Sequence, residues 1–433
     1  MPSYRITGGK PLTGEVQIAG AKNSASKLLF ASLLTDEPVT LKNVPKNEET
    51  SIAIELVKAV GNVVDWTGDH EITAQTKEIK TGDFLPMGSK NRLGILLAAP
   101  LLHRHGSATV PRPSGDKIGP RPVNFHIDTL VAMGAAIAEV PGGLSATVEG
   151  RLSGTVIDLP YPSVGATETG LYAGVLAAGR TVINNAAIEP EIMELIMLLQ
   201  NMGAIIQTNA NRTIEMIGVE TLHGATQTVI PDRMEAASFA CMALGTRGDI
   251  TVRGARQQDM VSFLNAVRKI GGEYQVKKDG IRFFAEGALR SIELETDTFP
   301  GFSTDWQQPF VAVLTQAKGT SVVHETVYEE RFGYTKALVE MGADIALSTK
   351  CLGEIPCRYR GMNYKHSAVI TGPRKLHPAT VTVPDIRAGL AYVIAALMAD
   401  GESTLNGIEH LDRGYEALDE KLKALGAIVT RTP

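Results

Sequence analysis

The chain reads as an α/β (α+β) protein made of six repeated βαβ-like modules, and three observations carry that reading. Apolar helices recur with polar or charged residues at their heads, β-branched strands recur beside them, and a second helix in each module closes on a glycine: Gly61, Gly134, Gly203, Gly271, Gly342 and Gly426. A spacing of roughly 70 residues between these glycines marks an internal repeat, and the recurring strands exclude a helical solenoid.

In chain order the modules open at AKNSASKLLFASLL, SKNRLGILLAAPLL, SVGATETGLYAGVLAA, PDRMEAASFACMALG, STDWQQPFVAVLTQA and PDIRAGLAYVIAALMA. Their heads are Lys22, Arg92, Ser163, Asp232 with Arg233, Asp305, and Asp385 with Arg387. Each apolar run is shorter than the about 20 residues needed to cross a bilayer. The segments SATV, TVIN, DITV, TSVVHE and STLNGI alternate or are β-branched, which predicts strands. SFLNAVRKIGG and YEALDEKLKALGA carry apolar residues at helical spacing and end in glycine caps. A helix N-terminus exposes unpaired N–H groups and about half a positive charge, so several such heads in one place would bind anions.

A chain of 433 residues exceeds the size at which one core keeps growing, which predicts two domains of three modules each. Candidate crossing points lie near residue 230, in TQTVIPDRM, and near residue 21, in IAGAKN. The 21% of charged residues are too well mixed for disorder, and a net charge of −5 argues against a nucleic-acid surface while leaving room for a locally basic cleft. The start MPSYRITGGK lacks the apolar core of a signal peptide, so a cytoplasmic location is expected.

Other chemistry competes weakly. Cys241, Cys351 and Cys357 are too few and too unevenly placed for a disulfide framework or a zinc cluster, so inert thiols and no metal are expected. His103, His105 and His126 have no cysteine or acidic cluster to complete a metal site. Phosphate-loop, dinucleotide and H-E-x-x-H motifs are absent, and Ser163 in SVGAT is not in a nucleophile elbow. The stretch PRPSGDKIGPRPVNF, Pro111 to Phe125, has four prolines and two glycines and reads as an extended surface loop. Asp116, flanked there by cations, has the makings of a positioned proton donor.

The motifs GAKNS (Gly20 to Ser24), GDKIGPRPV (Gly115 to Val123), SVGATE (Ser163 to Glu168), PDRME (Pro231 to Glu235), PGFSTDWQ (Pro300 to Gln307), ERF (Glu330 to Phe332), PDIRA (Pro384 to Ala388) and LDRGYE (Leu411 to Glu416) occur in one collinear set. In this the chain resembles the UDP-N-acetylglucosamine enolpyruvyl transferases, which catalyse the first committed step of bacterial peptidoglycan synthesis. The related enolpyruvylshikimate phosphate synthases share the six-unit architecture but not this motif set. The resemblance implies a two-domain inside-out α/β barrel of six βαβαββ repeats, three per domain. It assigns residues 1–21 plus 230–433 to one domain and 22–229, with the Asp116 loop, to the other, with the active site in the cleft between them and closure on binding substrate.

The implied reaction moves the enolpyruvyl group of phosphoenolpyruvate to the 3-hydroxyl of UDP-N-acetylglucosamine by addition and elimination, releasing phosphate. It implies small-molecule substrates, no redox or metal cofactor, no nucleic acid, no membrane and no obligate protein partner. Lys22 and Arg121 match positions at the phosphoenolpyruvate phosphate, and Arg387 and Arg413 match arginines that hold substrate anions. Asp305 matches the carboxylate against the sugar hydroxyl and is the expected base. Asn23, Arg92, Arg121, Pro122, Val123, Asn124, Phe125, Ser163, Val164, Gly165 and Val327 match positions lining the nucleotide sugar, and Arg331 joins the cationic wall.

Asp116 stands where most members of that family carry a cysteine. Proton donation survives if burial or neighbouring anions raise the carboxyl pKa, but the soft nucleophile is gone, which implies resistance to fosfomycin. Tyr161 replaces a common lysine, Trp306 replaces a smaller aliphatic residue, and Cys351 to Ser367 is longer than the family norm. These departures keep two alternatives open: a paralogue acting on another nucleotide such as uridine monophosphate, and a catalytically silent ligand sensor. Retention of Lys22, Asp116, Asp305, Arg387 and Arg413 argues against the sensor.

Overall fold

A computed structural model describes residues 2–85, 92–111 and 123–432. They fall into two compact units, one formed by residues 2–19 and 231–432 and the other by residues 20–85, 92–111 and 123–230.

The first unit is organised by three helices, Arg233–Gly245, Thr304–Leu314 and Ile386–Met398, which pack on one another. Ile386 through Leu397 are all buried, as are Arg233 through Leu244, so these helices are apolar on every face and form the core. Three four-stranded sheets pack on them. One runs Thr380–Thr382, Glu402–Asn406, Ser3–Thr7, Ile428–Thr432, and a second runs Glu273–Lys277, Gly280–Phe284, Asp249–Arg253, Thr13–Gln17. The third runs Glu293–Glu295, Gly319–His324, Ser367–Gly372, Asp344–Ser348. Each mixes one parallel pair with antiparallel ones, as a module that crosses over through a helix and then closes in a hairpin requires.

The second unit repeats the pattern on helices Lys22–Ala31, Ala98–His105 and Val164–Gly174, with two four-stranded sheets and one three-stranded sheet among the described residues. In it Val39–Lys42 pairs parallel with Thr226–Thr228 and antiparallel with Glu71–Gln75. The second opening is not one helix: Leu93–Leu97 is a 3₁₀ turn that leads into Ala98–His105. The six closing glycines all have positive φ. At Gly61, with φ 112°, a Cβ would also sit 2.8 Å from the carbonyl of Glu78, so a side chain is barred twice over.

Of the expected loop, residues 112–122 lie outside the described residues, and its two ends fall in regular elements. Pro111 ends the strand Ser107–Pro111, and Asn124 and Phe125 already belong to the helix Asn124–Ala132. Among the described residues no helix is long and apolar enough to cross a membrane.

Candidate active-site groups

The polar heads of the modules differ in role, and Arg92 precedes the 3₁₀ turn Leu93–Leu97 without a side-chain cap bond. Ser163, Asp232 and Asp385 are N-caps whose side chains accept from helix N–H groups: Ala166 for Ser163, Met234 and Glu235 for Asp232, Arg387 and Ala388 for Asp385. Lys22, Asp305 and Arg387 instead lie inside first turns.

Asp305 is the centre of the first unit's polar cluster. Ser303 accepts from its N–H at 3.3 Å, starting the helix one residue earlier and leaving the carboxylate near the positive end of the dipole. Oδ1 accepts from Arg331 Nη2 at 2.5 Å and Oδ2 from Arg387 Nε at 3.0 Å. Both guanidiniums are nearly inaccessible, whereas the Asp305 side chain keeps 23% of its surface exposed. Burial opposes the charge of Arg331, but Asp305 and neighbouring acids outweigh it and lift its pKa above the ordinary value. For Arg387 burial is likewise overcome, by Tyr415 first and then Asp305 and Asp232. The Tyr415 hydroxyl accepts from Arg387 Nη1 at 2.6 Å, and Arg413 lies two residues before it, at the end of the short helix Glu409–Asp412.

Glu325 is a member that no sequence signal marks. Fully buried, it accepts from Thr304 Oγ1 at 2.9 Å and Gln307 Nε2 at 3.2 Å, and from the N–H groups of Val327 at 2.9 Å and Tyr328 at 3.1 Å. One carboxyl group therefore ties the helix carrying Asp305 to the loop carrying Val327. Burial raises its pKa against the pull of Arg331. Trp306 does not face this cluster. It is fully buried, donates to the Arg233 carbonyl at 3.3 Å, and packs edge-on against Phe263 and Phe302, each 5.5 Å away. Its size fills the core, and the Arg233 guanidinium lies 5.3 Å from its ring.

In the second unit Lys22 is buried and paired with Glu49 at 3.0 Å. Glu49 is in the first turn of Glu48–Ala59, a helix capped by Asn47. Ser163, Val164 and Gly165 start the helix Val164–Gly174, and the ring of His126 lies where a Gly165 Cβ would be, at 2.7 Å, so only glycine permits this approach. His126 bonds Thr169 Oγ1 at 2.8 Å, and burial together with the nearby Arg92 pushes its pKa down to about 4. His103 bonds the Ala173 carbonyl at 2.8 Å and is also held near 4, mainly by burial. Asn23 and Val123 are half-buried, Asn124 is exposed, and Phe125 packs against the unit's core. Asp116, Arg121 and Pro122 lie outside the described residues.

The expectation about the cysteines needs correction. Cys241 is buried and inert, its thiol pushed up by burial, but Cys351 and Cys357 are not scattered: with His324 and His366 they place four potential ligand atoms within 4.8 Å of one another. Spacing in sequence misjudged them because one ligand comes from a strand about thirty residues earlier, beyond the reach of local motif reasoning.

The family profile described as EPSP synthase (3-phosphoshikimate 1-carboxyvinyltransferase) matches residues 6–422. A protein of Protochlamydia amoebophila named UDP-N-acetylglucosamine 1-carboxyvinyltransferase is 47% identical over 99% of this chain and 94% of its own length. Proteins of the same name from Chlamydia muridarum, at 45%, and Zymomonas mobilis, at 42%, match 99% and 100% of the chain and 98% and 99% of their own lengths. Among solved structures, the enolpyruvyl transferase NikO from Streptomyces tendae superposes with a TM-score of 0.89 at 24% identity, covering 100% of this chain and 99% of that one. An EPSP synthase from Acinetobacter baumannii gives 0.79 at 18%, covering both chains fully. These two establish the fold, and the near-full-length sequence matches place the chain in the EPSP synthase family of enolpyruvyl transferases, among relatives named UDP-N-acetylglucosamine 1-carboxyvinyltransferase.

Proposed function

We propose that this chain transfers the enolpyruvyl group of phosphoenolpyruvate to the 3-hydroxyl of UDP-N-acetylglucosamine with release of phosphate, as a first committed step of peptidoglycan synthesis in the cytoplasm. The observation that carries the reading is the 47% identity, along nearly the whole chain, to a relative bearing that name. Asp305 accepts the proton of the sugar hydroxyl as its oxygen bonds to C2 of phosphoenolpyruvate, while Asp116 delivers a proton to C3. Elimination then removes a C3 proton, restores the double bond and expels phosphate. Lys22, Arg387 and Arg413 balance the carboxylate and phosphate charges, with Arg331 beside them. Asn23, Arg92, Arg121 to Phe125, Ser163 to Gly165 and Val327 hold the nucleotide sugar.

Two arginines bound to Asp305 would depress its basicity if they stayed there. An arriving substrate anion offers them a better-matched partner, since the planar fork pairs bidentately with carboxylate or phosphate. The exchange leaves the Asp305 lone pairs available when the hydroxyl is in place, so binding itself activates the base. The alternative acceptors lose one argument, because Trp306 is a core residue.

Phosphate release from phosphoenolpyruvate is the test, with UDP-N-acetylglucosamine, uridine monophosphate and shikimate phosphate as parallel acceptors. Turnover confined to the nucleotide sugar supports the reading. Turnover with another acceptor assigns a paralogue, and tight binding of both ligands without phosphate release assigns a sensor. Fosfomycin should produce no time-dependent inactivation, and Asp116→Cys should gain it, because a carboxylate attacks an epoxide far more slowly than a thiolate does. Mass-spectrometric detection of fosfomycin on Asp116 would remove the resistance claim.

A further inference from the structure

The segment 349–366 joins the strands Asp344–Ser348 and Ser367–Gly372 and supplies none of the residues named in the reaction proposed above. His324 ends the strand Gly319–His324 and faces Ser367 across the antiparallel ladder. Cys351, Cys357 and His366 return to that point from the connecting segment. Cys351 Sγ lies 3.3 Å from His366 Nε2, and all four candidate ligand atoms lie within 4.8 Å of each other. A tetrahedral zinc ion with ordinary Zn–S and Zn–N bond lengths needs ligand separations of about 3.3–3.8 Å, so small side-chain rotations close the shell.

Hydrogen bonding around the histidines fixes which nitrogen each presents. The Ser367 hydroxyl donates to the Lys350 carbonyl at 2.8 Å, so its oxygen accepts from His324 Nδ1 at 2.8 Å and the proton of that ring is on Nδ1. His324 Nε2 is then an unprotonated nitrogen on a fully buried side chain, and it has no hydrogen-bond partner among the described residues. His366 Nδ1 lies 2.7 Å from the Tyr364 carbonyl, which can only accept, so its Nε2 also presents a lone pair. Both rings are thus oriented by an acceptor behind them, the arrangement that supports imidazole ligation of a metal. The Tyr359 N–H points at Cys357 Sγ at 3.4 Å and would stabilise a thiolate there. The cysteines are half-buried, which leaves an entry path.

We propose that His324, Cys351, Cys357 and His366 bind one Zn²⁺ as a closed structural site. The two thiols release their protons to solvent and bind as thiolates, and the histidines bind neutral through Nε2. With four protein ligands there is no open position, so the ion acts as a staple. It fastens a segment that is otherwise held by the Glu295 carboxylate, which accepts from the N–H groups of Glu354 at 2.8 Å and Ile355 at 2.9 Å. The same segment grips the Val327 carbonyl through Arg358 Nη2 and the Tyr359 hydroxyl, each at 2.7 Å.

The experiment is metal analysis of the full chain, expressed with zinc and purified under reducing conditions without chelator, followed by exchange of the ion for Co²⁺. About one zinc per chain is expected, and the cobalt form should show intense visible bands and thiolate-to-cobalt charge transfer of a tetrahedral S₂N₂ centre. Cys351→Ser/Cys357→Ser should lose both, and Ser367→Ala, outside the ligand set, should weaken zinc binding roughly tenfold. A zinc content that stays far below stoichiometry after loading, a cobalt spectrum of an octahedral oxygen-ligated ion, or unaltered binding in the double variant would each overturn the site, as would a Cys351–Cys357 disulfide in the reduced preparation. The cobalt spectrum of the unsubstituted chain decides the question even if the variants do not fold.

Discussion

Asp305 and Lys22 hold corresponding places, the first turn of a core helix in each unit, yet their charges are managed differently. Asp305 has two buried guanidiniums on it, within a cluster that also holds Asp232, Asp385 and Glu325. Lys22 has an ammonium–carboxylate bond to Glu49, both side chains less than a tenth exposed. Arg331 and Arg387 trade Asp305 for an incoming anion, as Lys22 must partly leave Glu49, but a planar fork can pair bidentately with that anion where an ammonium cannot. The second unit also keeps buried glutamates: Glu168 and Glu194 are pushed up to about 7, in each case chiefly by burial. Burial likewise raises Glu235 and Glu325 in the first unit, so both units hold glutamates whose charge burial opposes.

The contrast breaks first at Asp305. Asp305→Asn keeps the shape and one of the two acceptor oxygens but removes the base, and kcat should fall about 1,000-fold in the phosphate-release assay; a loss below tenfold would take the base role away from it. Lys22→Ala takes the ammonium away from a buried carboxylate and should cost about 3 kcal/mol in urea unfolding, with most of it regained in Lys22→Ala/Glu49→Gln. If the double variant is no more stable than the single one, the pair is not what Lys22 is held for. Arg387→Lys retains charge but loses the fork, and kcat/KM for phosphoenolpyruvate should drop about 100-fold with little change in stability.

The smallest effect is a pH slope. The Glu168 pKa is raised from 4.5 to about 7 on folding, so the folded state binds more protons between those values and stability falls as pH rises through that window, levelling above it. Glu168→Gln should flatten the fall by on the order of 1–2 kcal/mol between pH 5 and pH 8. Unfolding curves with the same slope in both proteins would mean that Glu168 titrates normally.

What could be read in the sequence was local. Caps at Ser163, Asp232 and Asp385, closing glycines, and helices such as Val261–Lys269 all follow from short-range chemistry. Long-range pairings were not legible in the same way. Glu325 looks like any charged residue after a strand, and only the fold brings Thr304, Gln307, Val327 and Tyr328 to its oxygens. Trp306 drew notice as a departure beside Asp305, but successive residues on a helix point about 100° apart, and this one points into the aromatic core.

The strand Ser3–Thr7 has Glu402–Asn406 on one side and Ile428–Thr432 on the other. On a ribosome adding 5–20 residues per second, its two neighbours would emerge roughly 20 to 80 s after it. Strands of the other unit, by contrast, are all made once Thr226–Thr228 has been synthesised. During translation the apolar Tyr4 and Ile6 therefore wait on a strand with both edges unpaired, a hazard that nascent-chain chaperones are suited to cover. Synthesis order thus makes the first residues of the chain among the last to find their partners.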